Sequence, residues 1–259
     1  MLFPRIIPCL LVKNKGLVKT INFKSPKYVG DPINAVRIFN EKEVDEIIVI
    51  DIDATIEKRE PDYSMIEHLA AECRMPLCYG GGITTSAQVR SIIQLGVEKV
   101  AMSSAAINDP NLVSSSAERV GNQSIVVVLD VRKQKIGGKY IVWTHNGQKN
   151  TNQNVVDLAV KMENLGAGEI VINSIDNDGV MKGYDLNLVE EVRNSINIPL
   201  TVLGGAGSLN DIGHLLSKFG IMGAAAGSLF VFKGIYKAVL INYPNRAEKL
   251  SLINDNLKI

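Results

Sequence analysis

Short runs of apolar, mostly β-branched residues alternate along the chain with stretches whose apolar positions recur every three or four residues. The runs begin near Arg5, Glu46, Leu77, Lys99, Ser124, Glu169, Leu200 and Gly223. They are continuous rather than alternating and too short for helices, which is how strands buried on both faces read. Amphipathic segments lie between them, for example Pro32 to Lys42, Ser86 to Leu95, Pro110 to Val120, Val155 to Leu165 and Leu209 to Phe219. The alternation makes eight βα units, and eight units in 259 residues predict an α/β protein with a closed (β/α)8 TIM barrel, one domain over 1–259. An open doubly wound sheet is the rival, but it normally needs fewer strands and a reversal of strand order.

The pattern also repeats. VDEIIVIDID (Val44 to Asp53) resembles AGEIVINSID (Ala167 to Asp176) at an offset of 123, PLCYGGG (Pro76 to Gly82) aligns with PLTVLGG (Pro199 to Gly205) at the same offset, and Ser104 falls opposite Ser228. Two half-barrels are expected, about 1–120 and 121–259. Laying RIIPCLL (Arg5 to Leu11) over SIVVVLD (Ser124 to Asp130) places Leu11 opposite Asp130.

Composition removes several function classes. With 28 basic and 27 acidic residues the net charge of +1 gives no electrostatic case for nucleic acid or anionic lipid, so any anion would be bound locally. Cys9, Cys73 and Cys78 follow no metal spacing and His68, His145 and His214 are scattered, so neither zinc, nor another cofactor, nor disulfides are expected. The apolar run from Ile6 to Val12 is too short to span a membrane, and the expected compartment is the reducing cytoplasm.

Candidate chemistry gathers at strand ends. Asp130 closes a buried strand at the end where parallel α/β folds carry their active groups. Gly80, Gly81 and Gly82 follow one strand and Ser103 and Ser104 end the next; Gly204, Gly205 and Gly207, then Gly227 and Ser228, repeat this in the second half. Backbone N–H groups freed by glycine, with a serine hydroxyl at a helix start, cradle phosphate without a basic surface. Two cradles point to a small ligand with two phosphates; the plain alternative is a pair of tight βα turns.

The motifs RIIPCL, VKTINF (Val18 to Phe23), GDP (Gly30 to Pro32), YGGGI, SSAA (Ser103 to Ala106), DNDG (Asp176 to Gly179), GYDL (Gly183 to Leu186) and GGAG make the chain resemble, along essentially its whole length, the cyclase subunit of imidazole glycerol phosphate synthase. The resemblance implies a (β/α)8 barrel that docks a glutaminase at its N-terminal face and passes ammonia through its centre. At the C-terminal face of that family, ammonia is joined to a bisphosphorylated ribulosyl carboxamide, giving imidazole glycerol phosphate and an aminoimidazole carboxamide ribotide. Two aspartates serve as acid and base, one on the first strand and one on the fifth. Asp130 matches the second, but Leu11 stands at the first, and leucine carries no proton.

Other departures share that face: Ser103 where the family has asparagine, Asn173 and Asp53 where it has threonine, and Leu203 where it has serine. Lys19, Asp51, Asp178 and Gly179 match, and the resemblance adds Lys19, Asp178 and Gly179 to the two cradles as candidate phosphate-binding residues. Lys19 is expected in a long loop, Asn14 to Gly30, that could close over a phosphate. The opposite end of the barrel keeps the family's charged gate, Arg5, Glu46, Lys99 and Glu169, each at a strand start. Two cations and two anions can pair to exclude water while admitting a neutral molecule when one pair opens; a salt-bridged plug is the plain reading. Glu98, beside Lys99, is a candidate contact for a glutaminase. The segment Arg132 to Lys149 reads as a β-hairpin over the barrel top. Within it, Tyr140 and Trp143 are expected to pack under the loop and His145 to be structural.

Three readings follow. In the first, the chain is a cyclase paralogue that holds a glutaminase as a heterodimer and delivers ammonia to a third protein, which the resemblance alone implies to be an amidotransferase for acetamidino sugars of surface polysaccharide. Alternatively it is a histidine-pathway cyclase with a substitute acid, Asp51 or Asp53, or it is a non-catalytic scaffold. The sister sugar isomerase fits less well, since it uses both carboxylates and no gate.

Overall fold

The computed structural model describes residues 3–257. In chain order its strands are β1 (Arg5–Lys13), β2 (Gly16–Ile21), β3 (Lys24–Gly30), β4 (Ile47–Asp51), β5 (Leu77–Gly80), β6 (Lys99–Met102), β7 (Ile125–Lys133), β8 (Tyr140–Thr144), β9 (Lys149–Asn154), β10 (Glu169–Ser174), β11 (Leu200–Leu203), β12 (Gly223–Ala226), β13 (Phe232–Lys233) and β14 (Ala238–Val239). β1, β4, β5, β6, β7, β10, β11 and β12 pair in that order, all parallel, and β12 closes on β1 through Arg5 opposite Gly223. The eight strands are those expected from the apolar runs, and the closed order is a (β/α)8 barrel.

The helices start where the sequence supplies caps. Thr85 and Gln88 form a capping box ahead of Ser86–Gln94, as Ser208 and Asp211 do ahead of Leu209–Phe219; each cap is worth about 1 kcal/mol. Helices Tyr63–Glu72 and Leu186–Arg193 are capped by Asp62 and Asp185, and Pro32–Glu41, Asn111–Val120, Val155–Asn164 and Arg246–Leu257 complete the ring. Their inner faces and the outer faces of the strands bury the main core, with Val36, Phe39, Leu69 and Ile92 fully covered. A second, smaller cluster fills the barrel interior: Ile7, Cys9, Ile48, Cys78, Ala101, Val126, Val171 and Ala225. Cysteine and alanine are small, so this interior is apolar without being crowded.

Two expectations need correction. Residues 14–30 are not an open loop: β2 returns along β3 as a hairpin, and β2 itself pairs with the end of β1 at Leu11–Val18. Its far turn is tied down, since Asn22 N donates to Asp178 O at 2.9 Å and Asn22 Nδ2 donates to Ile175 O at 3.1 Å. Alternation in LVKTI was legible, but the tie to a loop some 150 residues away was not. Residues 132–149 are likewise not a separate hairpin. β7 runs past the barrel rim to Lys133 and pairs with β8, which pairs with β9 as far as Asn154, so the unit is a three-stranded meander. Gly137 and Gly138 make its first turn and Asn146 and Gly147 its second.

Candidate functional site

Strand direction sorts the predicted residues to two ends. At the C-terminal mouth lies a cavity that opens to solvent. Leu11, Lys19, Gly81, Gly82, Ser103, Ser104, Asp130, Asp178, Gly179, Gly204, Gly205, Gly227 and Ser228 all line it. Its floor reaches Ile48, Cys78, Ala101 and Val171, inside the barrel cluster. Ile48, Ala101 and Val171 each follow a residue of the charged mouth by two positions, a strand rise of about 6–7 Å.

Asp130 lines this cavity and is half-buried. Asn173, its register partner on β10, donates Nδ2–H to Asp130 Oδ1 at 3.0 Å. Burial pushes the Asp130 carboxyl up to about 7; the Asn173 bond opposes this and the neighbouring Asp178 charge adds to it. Across the lumen no second acid faces Asp130 at the β1 position. Leu11 packs with Ile50, Val128 and Leu203 against the interior cluster, so two of the family departures extend the apolar lining to the mouth. Ser103 Oγ and Asn173 Oδ1 are buried without a hydrogen-bond partner, and both residues face the cavity. Buried polar atoms of that kind await a ligand or water.

Lys19 lies on β2, not in a loop. It is buried, and its Nζ donates to Cys9 O at 2.6 Å. A Cβ on Gly227 would stand 2.5 Å from that Nζ, so glycine is what lets the lysine lie across the second cradle. Burial lowers the Lys19 pKa, against the opposing charge of Asp178. Gly81, at φ +123°, passes so close to Asp51 that a Cβ would meet its carbonyl oxygen at 2.5 Å. Ser104 and Ser228 each open a short helix. Ser104 Oγ accepts from His145 N at 3.1 Å, which leaves its own proton to offer an anion.

The remaining carboxylates of this face are framework. Asp178 accepts from Thr20 Oγ1 at 2.7 Å and from Phe23 N at 3.2 Å, pinning the β2–β3 hairpin at the edge of the cavity. Asp51 accepts from the backbone of Asp53 and Ala54 and pairs with Arg59 at 3.2 Å, and Asp53 pairs with Lys13 at 3.1 Å. Asp51 is thus fully engaged, and Asp53, whose Oδ2 is buried without a partner, does not line the cavity. Tyr140 is buried and donates to Asp185, while Arg132 stacks on Trp143 at 4.7 Å, so both aromatics serve the meander.

At the N-terminal mouth Arg5, Glu46, Lys99 and Glu169 form one network. Arg5 pairs with Glu46, and with Glu169 at 2.8 Å; Lys99 reaches both carboxylates at 2.9 Å. Burial raises the Glu169 pKa, but the hydrogen bond and charge of Arg5, then Lys99 and the Thr201 hydroxyl, outweigh it and hold the group down to about 2. Thr201 is a fifth member that the motifs did not single out. Its hydroxyl donates to Glu169 Oε1 at 2.5 Å and occupies space that any Cβ at Gly223 would fill. The repeat held the signal, since PLCYGGG over PLTVLGG puts Thr201 opposite the lumen residue Cys78. Glu98 lies outside the ring and exposed, its Oε2 accepting from Leu77 N at 2.7 Å.

The family model described as "Histidine biosynthesis protein" matches residues 5–237. A Vibrio vulnificus protein provisionally named imidazole glycerol phosphate synthase subunit hisF3 is 57% identical over 249 residues, 96% of each chain. A Pseudomonas aeruginosa protein provisionally named subunit hisF2 of the same synthase is 50% identical over 241 residues, 93% of this chain and 96% of that one. The imidazole glycerol phosphate synthase subunit HisF of Lactococcus lactis is 41% identical over 230 residues, 89% of each. No helix among the described residues is long and apolar enough to cross a membrane.

Proposed function

The chain belongs to the histidine biosynthesis protein family, in its cyclase-subunit-like part, and on that premise we propose that it is a paralogue that conducts ammonia rather than cyclises. In this reading a glutaminase docks at the N-terminal mouth, with Glu98 at its edge, and releases ammonia beneath Arg5, Glu46, Lys99 and Glu169. Opening one ion pair admits the neutral molecule into the apolar lumen, where it stays unprotonated and nucleophilic. It leaves past Leu11 and Asp130 to a separate amidotransferase, one that converts acetamido to acetamidino sugars for surface polysaccharide. A small phosphorylated ligand can still sit between the cradle of Gly81, Gly82, Ser103 and Ser104 and that of Gly179, Gly204, Gly205, Gly227, Ser228 and Lys19. The whole assembly works in the cytoplasm and needs no cofactor.

The observation that carries this reading is the contrast between a complete ring of charges at one mouth and a leucine in place of the proton-transfer partner at the other. Proton transfer on both sides of a substrate needs two groups. The experiment is binding and activation of the glutaminase: the chain is expected to form a heterodimer with it and raise its glutamine hydrolysis, and no complex or no activation rejects the conduit.

A second reading has one observation in its favour. A carboxyl with a pKa of about 7 can both give and accept a proton near neutrality, so Asp130 alone supports slow cyclase chemistry. Leu11→Asp separates the two, since restoring the partner should create or greatly raise cyclase turnover if the rest of the pocket is competent.

A further inference from the structure

The net charge of +1 conceals a segregation. Three segments rise from the C-terminal mouth: residues 13–30 at the end of β1 and through β2–β3, residues 131–154 through the β7–β8–β9 meander, and residues 232–243 through β13–β14. They hold five, five and two of the chain's 28 basic residues, twelve in all, and none of its 27 acidic ones; the remainder carries 16 basic against 27 acidic residues. The segments touch. Lys27 Nζ lies 5.5 Å over the Phe232 ring, joining the first to the third, and a Cβ on Gly147 would meet Phe23 at 3.1 Å, joining the first to the second. They form one belt around the mouth.

Much of this charge is unspent. Lys24, Lys27, Lys133, Lys135, Lys139, Lys149, Lys233 and Lys237 are exposed and make no ion pair with the other described residues. None of them lines the cavity, whose only lysine is Lys19, so a phosphorylated ligand held in the cradles does not account for them. The segments also expose large apolar side chains: Ile136 is 91% exposed, Ile235 88% and Tyr236 90% in turns, and Tyr28 67% on β3. Exposed isoleucine beside lysine on adjoining hairpins is the composition of a contact surface, an apolar centre with a charged rim.

We propose that this belt docks an acidic, apolar-centred protein surface, that of the enzyme which takes up the ammonia leaving the barrel. The proposal rests on the conduit reading. Charge complementarity names the partner's sign, and position names its role: ammonia is neutral and needs no steering, but a partner seated on the belt seals the exit against water. Basic hairpins speed and orient such docking, and their contribution weakens with salt.

The test uses the complex of this chain with its glutaminase, immobilised for biolayer interferometry, and each purified sugar-modifying enzyme whose gene adjoins the gene for this chain. One of these enzymes is expected to bind at 0.15 M salt and more weakly at 0.5 M. K233E/K237E and I235S/Y236S are each expected to weaken that binding by about tenfold or more, while R90E, on the helix Ser86–Gln94 and outside the three segments, leaves it unchanged. Glutaminase activation should be the same in all variants, so a failure of activation strikes the conduit reading and a failure of docking strikes this one. Binding by none of the enzymes, equal binding by parent and belt variants, or retention of a 20-nucleotide single-stranded RNA in their place overturns the proposal.

Discussion

The two mouths of the barrel are built from the same strands and solve opposite electrostatic problems. At the N-terminal mouth two cations, two anions and a threonine hydroxyl satisfy one another in one network of hydrogen bonds and ion pairs. At the C-terminal mouth one carboxyl with a pKa of about 7, a buried lysine and two unpartnered polar atoms face an open cavity. A network that is complete in itself closes a passage, whereas one that is incomplete waits for something to complete it. In this chain the completeness has survived at the end that would meet a glutaminase, and the end that would perform cyclisation has lost its second acid.

The largest effect that sharpens this contrast is expected from Glu169→Ala. Removing it leaves Arg5 and Lys99 with half their partners in a buried site, a loss of about 3–5 kcal/mol measurable by urea denaturation. Because the folded pKa of Glu169 is depressed to about 2 from a usual 4.5, its contribution is present above pH 4.5 and disappears as pH falls toward 2. The variant should therefore lose part of the acid sensitivity seen in the parent over that window. If stability is unchanged, the ring is not a coupled network.

Asp130→Asn should act in the opposite direction. The folded pKa is raised to about 7 from 3.8, so the parent loses stability as pH climbs between those values, and the amide removes that loss while keeping a partner for Asn173. The expected gain is about 1–3 kcal/mol at pH 8, read from melts at pH 4 and pH 8, with no difference at the lower pH. Asn173→Ala should give the smallest change, a further rise of the Asp130 pKa, detectable by carbon-13 titration of the carboxyl. A fall would show that Asn173 does not hold the ionised form.

Much of this was legible in the chain. Short runs of apolar or small residues marked all eight barrel strands, from the β-branched IVVV of β7 to the GAAA of β12, because burial on both faces leaves few polar positions to blur them. The charged ring was legible too, since residues at equivalent strand starts must converge in a closed barrel. What stayed hidden depended on distance in sequence. Thr201 completes the ring only through Glu169, the β2–β3 hairpin is defined by bonds to Asp178 and Ile175, and Asp51 and Asp53 are spent on Arg59 and Lys13. Net charge hid another feature: the total of +1 conceals twelve basic residues in three segments at one mouth, offset by acids spread over the rest of the barrel.

The central claim is that the barrel retains passage and has lost cyclisation. It is tested most directly by supplying the purified chain with the bisphosphorylated ribulosyl carboxamide and excess ammonium, so that neither glutaminase nor channel limits the rate, and following imidazole glycerol phosphate. No product above the uncatalysed background is predicted. Turnover of roughly 1 per second or more, ordinary for an enzyme, would contradict it.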